Sequence, residues 1–173
     1  GSSAETQRRW FSADAGFDNL CRARFFDTYE EAVAGQLEEW KGSPPTCLAL
    51  ILLLDQFPRN MFRDSPRAFA SDSAAREIAE YGLAQGFDHQ LPASKAIFFY
   101  LPLEHSEDLA NQDECLRLTR ALASAHPEVS GFLPYAESHR ETIARFGRFP
   151  HRNRVLGRTS TLEEIEFLRE SAG

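Results

Sequence analysis

The run Cys47-Leu48-Ala49-Leu50-Ile51-Leu52-Leu53-Leu54, continuing into Asp55-Gln56-Phe57-Pro58-Arg59-Asn60, decides the fold. Eight consecutive apolar residues dominated by Leu favour a helix over a strand, because an unbranched side chain keeps its rotamers in a helix. A helix apolar on every side has no face for water and must be enclosed by other helices. Burying five Leu and one Ile at about 2 kcal/mol each stabilises by roughly 10 kcal/mol as an upper bound. Pro58 disfavours helix at Phe57 and is expected to end the rod there. Asp55, Arg59 and Asn60 then crowd the end of the most buried element, the first sign of a site.

The rest of the chain reads as helices around this rod. Residues 5–13 form a short helix presenting Trp10 and Phe11. Thr28-x-x-Glu31 is a capping box opening an amphipathic helix to about Trp40. Pro44-Pro45 opens the central rod. Ser65-Pro66 starts a helix to about Gln85 with Phe69, Ala70, Ala74, Ile78 and Tyr81 inward, ended by Gly86. Ser94 opens a shorter helix stopped by Pro102, and Ser106 caps the next. A helix over about 131–146 carries Phe132, Ala136, His139, Ile143 and Phe146 on one face and ends at Gly147. Phe149 to Arg158 is irregular, and Thr161-x-x-Glu164 is a second capping box opening a terminal helix. Period-two alternation is absent, so no sheet is expected. The expectation is one all-α domain over residues 4–173, with Gly1 and Ser2 set aside as a cloning remnant. Antiparallel helix pairs would form a bundle or a short superhelix.

Bulk properties narrow the function. At 173 residues with 42% apolar and 26% charged residues, the composition is that of a globular protein with a sizeable core. The net charge of −7 argues against nucleic-acid binding, which needs a basic face. No run approaches the roughly 20 apolar residues that span a bilayer, and no secretory signal is read at the start. Cys21, Cys47 and Cys115 are odd in number and form no C-x-x-C pair. They read as buried thiols in a reducing cytoplasm.

From His139 through Arg158 the chain carries six Arg and two His with Phe146, Phe149 and Pro150 between them. Guanidinium forks suit carboxylate or phosphate. These arginines either pair with acids such as Glu104, Glu107 and Asp55 and lock the loop onto the bundle, form an anion site, or present a surface to a partner. Glu104-His105, His139 and His151 with Asp55 are the candidate metal ligands, but no i, i+4 pair places two on one helix face, so neither metal nor cofactor is expected. Cys47 lies inside the apolar run, where burial suppresses a thiol's reactivity. Glu104 beside His105 is the best acid–base pair by type.

Three segments carry these polar residues: Leu-Asp-Gln-Phe-Pro-Arg-Asn-Met-Phe-Arg (54–63), Tyr-Leu-Pro-Leu-Glu-His-Ser-Glu (100–107) and Arg-Phe-Gly-Arg-Phe-Pro-His-Arg-Asn (145–153). They resemble the uncharacterised bacterial family known as domain of unknown function 924, over about Trp10 to Leu168. The resemblance implies an all-helical fold similar to tetratricopeptide-repeat proteins, and brings no established activity. The leading expectation is a small anionic ligand, carboxylate or phosphate, in a cleft where the three segments meet. Arg148 and Arg152 would clamp it, Asp55 and Glu104 would hold the arginines, and Arg59, Asn60, His139 and Asn153 would complete the lining. The alternatives are an enzyme using Glu104 and His105 or His151 as acid and base, and a scaffold with a concave surface for a peptide or protein partner.

Overall fold

The computed structural model describes residues 15–171; the short helix expected around Trp10 and Phe11 lies outside them. In chain order the structure runs α1 (Ala15–Val33), a 3₁₀ turn (Glu38–Gly42), α2 (Pro44–Ile51), a π-helical turn (Leu52–Gln56) and α3 (Phe57–Met61). A 3₁₀ turn (Pro66–Phe69) leads to α4 (Asp72–Ala84). Then come α5 (Ala93–Ala96), α6 (Leu101–Glu104), α7 (Leu109–Ala125), α8 (Leu133–Phe146) and α9 (Leu162–Ser171), with further 3₁₀ turns between them. The fold is all-α, without a strand among the described residues. None of their helices is long and apolar enough to cross a membrane.

The central rod is enclosed on most of its surface, with Ala49 and Leu52 left half-buried. Cys47, Leu48, Leu50, Ile51, Leu53 and Leu54 are buried, with α4 packed on α2, and α1 on α3. At Gly82 of α4 the packing leaves no room for a side chain: a Cβ there would run into the Phe99 ring and stand 3.2 Å from Cys47 Sγ. The α7–α8 pair folds back on itself through the Pro127–Phe132 turn, and α8 ends where Gly147 takes a left-handed φ of 67°, a conformation glycine adopts without a Cβ penalty.

Several helix boundaries differ from the expectations above. The rod does not stop at Pro58. It widens into a π turn, in which the Phe57 N–H reaches back to the Leu52 carbonyl, and resumes as α3. Pro58 has no N–H for the Leu54 carbonyl four residues back; the Ser71 hydroxyl, from the start of α4, donates to that carbonyl at 2.6 Å instead. Thr28 lies inside α1, which is already running from Ala15, so Thr28-x-x-Glu31 is surface spacing on a helix and not its start. Pro102 sits in the first turn of α6, where no N–H is required, and the chain stays helical through it. Asp108 caps α7 in place of Ser106, accepting from the Ala110 and Asn111 N–H groups at 2.8 and 3.3 Å. Ser65 caps only the 3₁₀ turn, which changes the phase of α4. Its buried side is Ala75, Ile78, Ala79 and Gly82, and Tyr81 is exposed.

Candidate functional site

The π turn presents Asp55 at the polar end of the rod with no solvent exposure at all. Turns of this kind recur at functional sites because the wider winding redirects a side chain. Asp55 Oδ1 lies 2.6 Å from His105 Nδ1, and the neighbouring Gln56 amide donates to Oδ2. Arg59 Nη1 is 3.4 Å from Oδ1 and donates to the Asp55 carbonyl at 2.5 Å. Burial alone would raise this carboxyl; His105 and Arg59 outweigh it and hold Asp55 well below the usual carboxylate range. An ionised carboxylate only accepts, so His105 Nδ1 donates in this contact, and Nε2 is the ring nitrogen left for another partner.

Behind this pair two arginines share one acid. Arg59 places a fork on Asp72 at 2.9 and 3.1 Å, and Arg152 approaches the same carboxylate from the far end of the chain at 3.5 Å. The Arg152 guanidinium lies against the rings of Phe69 and Phe149 at 4.6 and 4.5 Å. Burial, then repulsion from Arg59, pushes it down to about 10, and its buried Nε has no hydrogen-bond partner among the described residues.

In front lies a cavity of about 330 Å³ walled by Leu101, Glu104, His105, Glu128, Phe132, Tyr135 and His139. Glu104 is positioned by Gln112, whose buried amide donates to the Glu104 and Ser106 carbonyls at 2.6 and 2.7 Å. Its own carboxylate is poorly served. Cys115 Sγ stands 4.0 Å from Oε2. His139 Nδ1 is 2.8 Å from Oε1 but is directed so that it makes no hydrogen bond. Phe149 lies between His139 and His151, 5.2 and 5.5 Å from their rings. His151 is partly exposed, yet desolvation of its ring where it is buried, then Arg152 and His139, push it down to about 4. No group of three or more His, Cys, Asp or Glu among the described residues is arranged to hold a metal ion.

Residues 2–172 match the model of a family described as bacterial protein of unknown function, DUF924. The chain belongs to this family. It is similar to the solved structure of a protein of unknown function, ATU0120 from Agrobacterium tumefaciens. The two are 41% identical, the match covers 94% of this chain and 89% of that one, and the TM-score is 0.87. No curated protein matches.

Within this DUF924 chain the polar motif residues divide into two groups. Asp55, Arg59, Glu104, His105, His139, His151 and Arg152 come together around the cavity and the arginine pair behind it. Arg148, Asn153 and Asn60 are engaged elsewhere. Arg148 forks onto Glu164 at 2.6 and 2.8 Å and donates to the Thr159 carbonyl at 2.9 Å. Asn153 joins the same carboxylate at 3.2 Å, and Glu164 closes the expected capping box with Thr161 at 2.7 and 3.2 Å. Asn60 donates to Asp18 at 2.8 Å beside Arg63. Arg158 forks onto Glu107 at 2.6 and 2.9 Å, and Glu107 also accepts from the Phe149 N–H. The DUF924 loop after α8 is therefore tied down by Glu107 and Glu164. Among the described residues Glu104 holds no arginine; it faces His139. The sequence reading missed Asp72 and Ser71, neither of which stands in a motif, and read Phe69 only as a core side chain.

Proposed function

We propose that the cavity in front of Asp55 is an acid–base site for a small ligand, with His105 as its proton acceptor. The observation that carries this is the 2.6 Å contact between His105 Nδ1 and a fully buried, ionised carboxylate. Such a partner fixes the imidazole's tautomer and orientation and stabilises the imidazolium that forms when Nε2 takes a proton. Asp55 itself stays ionised, so the proton remains on the ring until it returns to the ligand or to water. Glu104, beside it on the cavity wall, is a second charged group within reach of the same ligand.

Ring ¹⁵N NMR of the parent protein tests the assignment. His105 should carry its proton on Nδ1, and Asp55→Asn should move it toward Nε2. A parent protein with Nε2 protonated would remove His105 as the base. A second reading has its own observation, the buried Arg152 guanidinium with a free Nε and only a 3.5 Å carboxylate contact. An anion such as phosphate held there would stabilise the parent in thermal shift and leave Arg152→Gln unaffected.

A further inference from the structure

We infer that the cavity beside His105 takes a ligand bearing a cationic nitrogen, with the ammonium group seated on Glu104. The inference rests on reading this cavity as a small-molecule site and adds the class of molecule.

The Glu104 side chain is 6% exposed and stands on the cavity wall. A desolvated carboxylate is costly unless N–H or O–H groups satisfy it. Among the described residues its neighbours serve it weakly: the Cys115 thiol at 4.0 Å is a poor donor, and the His139 nitrogen at 2.8 Å makes no hydrogen bond and brings a charge only when the ring is protonated. The arginines nearby are engaged with other acids. Arg59 and Arg152 face Asp72, and Arg158 faces Glu107. An ammonium group entering the cavity would bring three strong donors and a permanent positive charge to a carboxylate served only by a thiol and an imidazole.

The remaining wall agrees. Glu128 adds a second carboxylate at the rim, 63% exposed, with the exposed His126 at 3.5 Å. Phe132 and Tyr135 complete that side, and aromatic rings attract cations. An anionic ligand would meet two carboxylates here. The volume of about 330 Å³ lies at the lower end of ligand pockets, which limits the ligand to a small amine.

Three probes of one shape and different charge decide it: benzylamine, benzyl alcohol and benzoate, each titrated into the protein while the His105 and His139 ring signals are followed by NMR. Benzylamine should bind at least about tenfold more tightly than benzyl alcohol, and benzoate more weakly than either. Glu104→Gln should bring amine and alcohol to about the same affinity. Glu128→Gln, at an exposed position, should reduce the preference in part and replaces Glu104→Gln if that variant does not fold. Equal binding of amine and alcohol, benzoate binding as well as the amine, no saturable binding of any probe, or an amine preference unchanged in the variants would each overturn the assignment. The tautomer measurement on His105 needs no ligand, so an amine preference with the ring proton on Nε2 would retain this pocket and discard only the base.

Discussion

Replacing Ser71 by Ala tests the account of how the rod passes Pro58. The Ser71 hydroxyl is 2.6 Å from the Leu54 carbonyl, and Ser71 is 4% exposed, so water does not take its place. The substitution leaves a buried carbonyl that Pro58 cannot serve, a defect of about 1–3 kcal/mol. For a chain of this length that is a fall in Tm of roughly 2–12 °C. Urea unfolding followed by far-UV circular dichroism measures it, because the midpoint moves while the slope is unchanged. Pro58→Ala in the same background returns an N–H to the position and should recover part of the loss; the pair should therefore couple in a double-mutant cycle. Ser71→Ala within about 0.3 kcal/mol of the parent, or a cycle without coupling, would refute the reasoning.

Two further expectations concern the cap of the terminal helix and the centre of the core. Glu164 is held at about 2, chiefly by Arg148, so its contribution is complete above its ordinary 4.5 and is lost as pH falls from there through 2; urea titrations between pH 5 and 2.5 should show this leg, and Glu164→Gln should flatten it. Gly82→Ala places a methyl group into Phe99 and Cys47 and should cost about 1–3 kcal/mol by overpacking, read from the same unfolding curves.

What could be seen in the sequence was whatever neighbours in the chain settle among themselves. The apolar run had to be a buried helix, Thr161 and Glu164 had to cap one, and Gly147 had to end one; all three are as expected. The failures occurred where a distant residue intervenes. Helix beyond Pro58 depends on a hydroxyl 17 positions from the carbonyl it serves, and no local propensity contains that. The same holds for the arginines. Their type and clustering announced a polar centre, but Arg152 meets an acid 80 residues away. Arg148 meets Glu164, already recognised as a cap and not as a seat for a guanidinium. Ser65 and Ser106 misled for a related reason: both have cap chemistry, and in each case a residue further along begins the longer helix.

The π turn from Leu52 to Gln56 amounts to one residue more than a regular helix of the same rise would hold. Each residue rotates a helix by about 100°, so the insertion decouples two registers. The greasy side chains before it keep the azimuth that fits their neighbours, and Asp55 acquires a different one, turned onto His105. A lineage that lost one residue from this segment would regain an unbroken spiral and, with it, a carboxylate aimed away from its imidazole.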